Sequence, residues 1–170
     1  GSPYESNKLS ERQQIIKSRC EESNLPIIYL NLVGGQDDLV FDGGSFVYDN
    51  RGTIVCQFPQ FLEKTEQVIF EQRKNGWVPT PELITEIGSS ESQDYKAVVL
   101  GLRDYVLKSN FHKVVIGLSG GIDSALVAVM AVDALGADNV VCLALPSKFN
   151  SSASLDDAKK LSENLGITLE

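Results

Sequence analysis

Histidine, cysteine and long apolar runs are what this sequence has least of. His112 is the only histidine. Catalytic designs that pair an imidazole with a serine or cysteine, and zinc sites built on histidines, therefore have almost nothing to draw on. Three cysteines, Cys20, Cys56 and Cys142, are irregularly spaced with no C-x-x-C. That argues against a disulfide framework or a zinc site and for a reducing compartment. Cys142 lies in an apolar run and Cys20 on an expected helix, so both read as small buried or half-buried side chains. His112, just before an expected strand, reads as a surface residue. No apolar run approaches the ~20 residues of a membrane helix, and no N-terminal targeting segment is visible. Positive charge is also scarce, with 15 Lys and Arg against 23 Asp and Glu and a net charge of −8. No basic stripe exists, so nucleic acid is disfavoured as a ligand. The expected setting is the cytoplasm, without membrane or nucleic acid.

The 170 residues, 42% hydrophobic and 22% charged, have a globular composition, enough for one ordinary domain or two small pieces. A helix is expected from Asn7 to Asn24, with Leu9, Ile16 and Cys20 at helical spacing. Pro26–Val33 reads as one buried strand and Gly34–Asp38 as a turn. Strands are expected at Ser45–Tyr48 and Thr53–Phe58, joined by the hairpin signal Asp49-Asn50-Arg51-Gly52. Val68–Phe70 is the last apolar stretch of this half. Residues 73–92, with scattered Gly and Pro and no sustained period, read as a linker.

From Asp94, which could cap a helix, the pattern becomes α/β. Lys113–Ile116 is a strand without alternation, as when both faces are covered. Ile122–Leu135 is apolar nearly all round, which predicts a buried helix ended by Gly136. Val140–Leu145 is a second continuous strand, the last expected in its sheet. Ser154 could then cap a helix ending at Gly166. Strand, helix and strand fit one βαβ unit with a parallel sheet.

Between the first strand and its helix stands Gly117-Leu118-Ser119-Gly120-Gly121-Ile122-Asp123-Ser124. Ligands of open α/β sheets bind at the carboxyl ends of strands. Gly120 and Gly121 let the backbone approach a ligand closely, and successive N–H groups there can form an anion-binding concavity. The following helix adds the positive end of its dipole. Ser119 and Ser124 can donate to phosphate oxygens. A carboxylate beside polyphosphate needs a cation between them, so Asp123 is the expected Mg²⁺ ligand. No Gly-Lys-Ser/Thr follows the glycines, which excludes a Walker loop, and G-x-G-x-x-G is absent as well.

S-G-G-I-D-S resembles the pyrophosphate loop of the ATP-pyrophosphatase enzymes, which cleave ATP to AMP and pyrophosphate while adenylating a substrate oxygen. The flanking G-L-S-G-G-I-D-S-A-L-V-A-V-M-A-V-D-A-L-G, with Pro146, Ser147, Phe149, Ser151, Ser154, Asp157 and Ala158 in a P-S-x-(Y/F)-x-S-x-x-S-x-x-D-A pattern, resembles NAD synthetases. I-Y-L-N-L-V-G-G-Q-D-D-L-V-F-D-G-G-S-F-V is similar to the late part of a nitrilase-type glutaminase domain, which precedes the synthetase domain in the glutamine-dependent members. Gly1-Ser2-Pro3-Tyr4 resembles the N-(A/G)-S-P-Y segment that follows the nucleophilic cysteine there.

These resemblances imply an α/β chain in which the end of a nitrilase-like α-β-β-α domain (1–72) is joined by a linker (73–92) to the start of a Rossmann-like, parallel-sheet adenine-nucleotide α-hydrolase-type domain (93–170). They imply ATP bound by Gly117, Leu118, Ser119, Gly120, Gly121, Ile122, Asp123 and Ser124, Mg²⁺ on Asp123, and glutamine bound by Ser2 and Lys8. The implied substrates are deamido-NAD and glutamine, and the implied assembly is a homo-oligomer. The family's glutaminase triad of Glu, Lys and Cys has no counterpart in this sequence, so no catalytic residue is assigned and the chain alone is expected to be inactive. The alternatives are another amidotransferase or a tRNA-modifying enzyme of the same ATP-pyrophosphatase class, or a purely structural or binding fragment.

Overall fold

The computed structural model describes residues 1–74, 76–80, 83–144 and 152–170. Contacts divide the chain into two compact units, Gly1–Ala97 and Val98–Glu170.

The first unit begins with helix α1, Lys8–Ser23, between two asparagines in the left-handed region, Asn7 and Asn24. Asparagine tolerates that conformation better than most residues, which fixes both ends of the helix where the sequence places them. The expected strand Pro26–Val33 is instead broken. Strand β1 spans only Ile27–Tyr29, and β2, Val33–Gln36, belongs to another ladder. Nor is this run buried, since Leu30 is 82% exposed and Ile28 and Leu32 are also exposed. The reason lies in Asn31, whose side chain is buried and hydrogen-bonded to Ser2 and Asp42. That polar anchor turns its apolar neighbours outward.

Gly34 and Gly35, expected in a turn, lie in β2. The turn shrinks to Asp37 and Asp38, with Asp37 left-handed, and returns as β3, Leu39–Asp42, a strand not expected from the sequence. Strands β4, Phe46–Tyr48, and β5, Ile54–Gln57, form the expected hairpin. Asp49 closes its turn by accepting from the Arg51 and Thr53 amides, and Gly52 takes φ +72°. The sheet order is β1-β4-β5, antiparallel. Leu9, Cys20, Phe46 and Tyr48 form the core beneath it, with Tyr29 stacked on Phe46 at 4.8 Å.

Further along, β6, Phe70–Arg73, pairs with β7, Gly76–Pro79. Leu83 and Thr85 bond to both backbone groups of Gln57, so this stretch is tied back to the β5 edge. Helix α2, Ser90–Lys108, starts four residues before Asp94. Asp94 is not its cap; it accepts hydrogen bonds from Tyr4 and Ser6.

The second unit is α/β with a parallel sheet. Strands β8 (Val114–Leu118), β9 (Val140–Ala144) and β10 (Thr168–Leu169) lie in the order β10-β9-β8, all parallel. The sheet thus gains a third strand beyond the two expected from sequence. Two residues without a strong apolar run are too short a signal to read, and the Schellman turn before them supplies the direction. That turn ends α4, Ser152–Leu165, with Gly166 left-handed, its amide bonded to Glu163 and the Ile167 amide to Ser162. Ser154 lies inside the first turn of α4 rather than at its cap.

Helix α3, Ile122–Leu135, is not buried all round. Its buried residues are the small Ala128, Ala131 and Ala134, with Val132 packed partly against the core, while Ile122 is 80% exposed and Leu126 and Val127 are exposed as well. Alanines bring helix and sheet close together, and Ile122, Leu126 and Val127 are left outside. Likewise β8 alternates, with Leu118 buried and Val115 exposed, so one face of that strand is uncovered among the described residues. All three cysteines are free and buried, and His112 is exposed. No helix among the described residues is long and apolar enough to cross a membrane.

Candidate functional site: the strand-to-helix loop

The segment 117–124 is shorter as a loop than its sequence implies. Gly117 and Leu118 are the last rungs of β8, paired with Leu143 and Ala144. Leu118 sends its side chain into the core, leaving only its backbone to a ligand. Ile122, Asp123 and Ser124 already form the first turn of α3. The connection proper is Ser119-Gly120-Gly121.

Gly120 takes φ +81°. A Cβ there would collide with the Ser154 main chain, meeting its carbonyl oxygen and lying 2.7 Å from its carbonyl carbon and 2.8 Å from its Cα. Gly120 is therefore required twice, by its dihedral and by the close passage of the α4 backbone. Gly121, at φ −88° and ψ 160°, precedes the helix without a side-chain cap. Ala125 is the first residue whose amide finds a helical acceptor, the Gly121 carbonyl at 3.1 Å. The amides of Ile122, Asp123 and Ser124 are thus left without helical acceptors and point out of the helix start.

The two serines hold the loop shut. Ser124 Oγ accepts from the Ser119 amide at 3.2 Å and donates to the Gly121 carbonyl at 3.0 Å. With its own hydrogen so used, it serves as the acceptor in its 3.0 Å contact with the Ser119 hydroxyl. Ser119 Oγ in turn accepts from the Gly121 amide at 3.3 Å. Each of these bonds is exposed to solvent, so an anion can exchange for them at low cost. Asp123 is exposed too. Among the described residues, no group of three His, Cys, Asp or Glu side chains converges on a metal position. A cation held at Asp123 would accordingly draw its remaining ligands from water and ligand oxygens, as Mg²⁺ commonly does. Residues 146, 147, 149 and 151 of the serine-rich pattern lie outside the described residues. Asp157 is exposed, and Ala158 is buried in the core.

Ser2 and Lys8 are brought together in the first unit, where both line a cleft of about 260 Å³. Lys8 pairs with Glu11 at 2.9 Å on the helix surface, and this hydrogen bond to a carboxylate pushes the ammonium pKa up. Ser2 is gripped on three sides. Its amide donates to Asn31 Oδ1 (2.8 Å), its carbonyl accepts from Asn31 Nδ2 (3.0 Å) and Arg12 Nη2 (2.9 Å), and its Oγ accepts from Arg12 Nε (3.0 Å). Arg12 is not among the site residues expected from the sequence. A lone arginine among the charges of α1 gives no signal that it is 5% exposed and paired with Asp42 at 2.8 Å. Its one available clue was its position four residues after Lys8, on the same helix face.

The comparisons with known proteins show what the chain is similar to. Residues 94–170 match the NAD synthase family model. The matched segment carries the whole Ser119–Ser124 loop. Over its full length the chain is similar to glutamine-dependent NAD(+) synthetases. It is 51% identical over 170 residues to the Rhodobacter capsulatus protein of that name, covering all of this chain and 31% of that protein. The Xanthomonas campestris counterpart is 43% identical over 169 residues, 99% of this chain and 31% of that protein. Among solved structures, the glutamine-dependent NAD+ synthetase of Acinetobacter baumannii, in complex with ADP, superposes with a TM-score of 0.93 at 38% identity. That match covers 99% of this chain and 32% of the other. The chain thus spans about a third of the length of the relatives it matches.

Proposed function

We propose that this chain is part of an ATP-dependent ligase that amidates deamido-NAD to NAD with ammonia drawn from glutamine, releasing AMP and pyrophosphate. The observation that carries the reading is the whole-chain similarity to glutamine-dependent NAD(+) synthetases, which runs through both units and includes the Ser119–Ser124 loop. In this reading residues 1–72 are the end of a nitrilase-like glutaminase domain, 73–92 the connection, and 93–170 the start of the synthetase domain.

Gly117 and Leu118 offer backbone groups at the strand end. Ser119, Gly120 and Gly121 surround the pyrophosphate part of ATP, and the amides of Ile122, Asp123 and Ser124 point toward it. On binding, the Ser119 and Ser124 hydroxyls exchange their mutual contact for phosphate oxygens. The residues fit a divalent cation, because an exposed carboxylate beside these amides would otherwise repel polyphosphate. Mg²⁺ held by Asp123 would neutralise charge building on the departing pyrophosphate. The work of the loop is positioning and electrostatic stabilisation of that leaving group. Ser2 and Lys8 bind glutamine in the first unit.

The test is pyrophosphate release by the complete protein that contains this chain, with deamido-NAD, tRNA and XMP offered separately in the presence of ATP and Mg²⁺. Release with deamido-NAD, and NAD formation from glutamine, is expected. Release with tRNA or XMP alone would transfer the loop to a different substrate and sink the reading. The 170-residue chain by itself is expected to release no ammonia from glutamine.

A further inference from the structure

A buried arginine in an acidic chain needs partners for its charge and for its five N–H groups. Arg12 makes four hydrogen bonds, to one carboxylate, two carbonyls of one short stretch of backbone and the Ser2 hydroxyl. Nη1 donates to Asp42 Oδ1 at 2.8 Å, and Nη2 donates to the carbonyls of Ser2 and Pro3 at 2.9 and 2.7 Å. Nε donates to Ser2 Oγ at 3.0 Å. Asp42, 1% exposed, is held in turn by Asn31 Nδ2 at 3.3 Å and Gln60 Nε2 at 2.8 Å. A carboxylate alone would suffice to neutralise the guanidinium. The extra contact to the Ser2 hydroxyl has a separate chemical effect.

Arginine has no acceptor and does not lose its proton. The Nε–H···Oγ bond therefore runs in one direction only, and it occupies a lone pair of Ser2 Oγ. The Ser2 hydroxyl hydrogen cannot point back at Arg12. The Ser2 amide and carbonyl are already taken by Asn31 and Arg12, and among the described residues the hydroxyl donates to no other group. Ser2 lines the same cleft as Lys8, Glu11, Arg12, Ile15 and Tyr29. The hydroxyl is thereby fixed as a donor on a backbone held by hydrogen bonds, in a cleft shared with Lys8, Arg12 and Glu11.

We infer that Arg12 is a positioning residue for the amide-donor substrate. By filling a lone pair of Ser2 Oγ and clamping the Ser2 and Pro3 carbonyls, it commits the Ser2 hydroxyl to donate to a carboxylate or amide oxygen of an amino-acid amide in this cleft. The inference rests on the reading of Ser2 and Lys8 as glutamine contacts and adds to it Arg12, which borders the same cleft but whose hydrogen bonds go to Ser2, Pro3 and Asp42. It also makes the two effects separable, because Arg12 acts through Ser2.

The experiment uses the complete protein and compares Arg12→Lys, Ser2→Ala and the double variant. Lysine keeps the charge opposite Asp42 but has a single nitrogen, which cannot serve the carboxylate, two carbonyls and Oγ together. Loss of one oriented hydrogen bond to a ligand corresponds to a rise of about 10-fold in the KM for glutamine. That rise is expected for Arg12→Lys and for Ser2→Ala, with little further rise in the double variant. In Arg12→Lys, kcat and the rate with ammonia in place of glutamine should stay within about 2-fold of the parent, whereas general damage to the fold would lower both. If Ser2→Ala leaves the KM for glutamine unchanged, the glutamine reading of the cleft fails, and the inference fails with it. If Ser2→Ala raises KM while Arg12→Lys does not, or the two effects multiply in the double variant, Arg12 does not act through Ser2 and only this inference falls. Should Arg12→Lys not accumulate as folded protein, R12Q/D42N, which removes both buried charges together, takes its place. The same rise in KM is then expected, and an unchanged KM overturns the role of Arg12.

Discussion

Gly120→Ala is the substitution whose outcome the structure constrains most tightly. The added methyl group brings two penalties that arise separately. A non-glycine residue at φ +81° costs about 1–2 kcal/mol. The new Cβ also meets main-chain atoms of Ser154, at 2.7 and 2.8 Å from its carbonyl carbon and Cα, so no side-chain rotation relieves the clash and the start of α4 must move. Overpacking of this kind costs about 1–3 kcal/mol. The sum, about 2–5 kcal/mol, is large against the marginal stability of a small domain. Gly121→Ala is the matched control. Gly121 has φ −88°, and its added Cβ would touch only Ser119 Oγ at 3.4 Å, an ordinary contact, so its cost should be under about 1 kcal/mol. Because the chain has two compact units, a single bulk transition is a poor measure. Amide hydrogen exchange in α4 and β10 reads the second unit directly, while amides of β4 and β5 serve as an internal reference in the first. Equal loss of α4 protection in Gly120→Ala and Gly121→Ala would refute the double requirement at Gly120, as would unchanged protection in Gly120→Ala.

Other expectations follow from the same geometry. Asp123→Ala in the complete protein should abolish Mg²⁺-dependent pyrophosphate release without changing the melting temperature, because the side chain is exposed; retained release would remove the metal role from Asp123. Asp42→Ala leaves the Arg12 charge buried without its carboxylate and should cost about 3–5 kcal/mol by urea unfolding of the first unit, with a loss below about 1 kcal/mol contradicting that account. Burial, then the hydrogen bond and charge of Asp94, push the Tyr4 phenol up to about 12. Tyr4 then stays protonated in the fold above the pH at which it ionises in the unfolded chain, so its contribution is full below about pH 10 and is lost as pH rises through about 12. Burial raises the Tyr48 phenol as well, so ultraviolet titration should show more than one late-ionising tyrosine, of which one moves down part of the way in Asp94→Asn; no movement would discard the Asp94 share. Burial also raises the Cys20 and Cys142 thiols, so a disulfide reagent should label neither until the chain is unfolded.

Much of this protein is determined locally and was legible in the sequence. Asn7 and Asn24 bracket α1, Asp49 and Gly52 make the β4–β5 turn, and Gly136 and Gly166 end α3 and α4. Each is decided by a residue's own dihedral preference or by a bond to a near neighbour, which sequence order carries directly. The phosphate-type loop is local in the same sense: glycines, hydroxyls and an acid between a strand and a helix. Where sequence order misled, the deciding contact came from elsewhere in the chain. Asn31 broke an apparently continuous strand because Ser2 and Asp42 hold it. The faces of α3 and β8 were set by which side met the core, since a helix apolar all round has no preferred side until it packs. Gly120 is required twice over only because the Ser154 backbone passes beside it, and the Ser2 hydroxyl is committed as a donor only because Arg12, ten residues away, reaches its lone pair. The residue types set the chemistry available at each position; tertiary structure decided which groups were left without a partner, and a group left without a partner is what can meet a ligand.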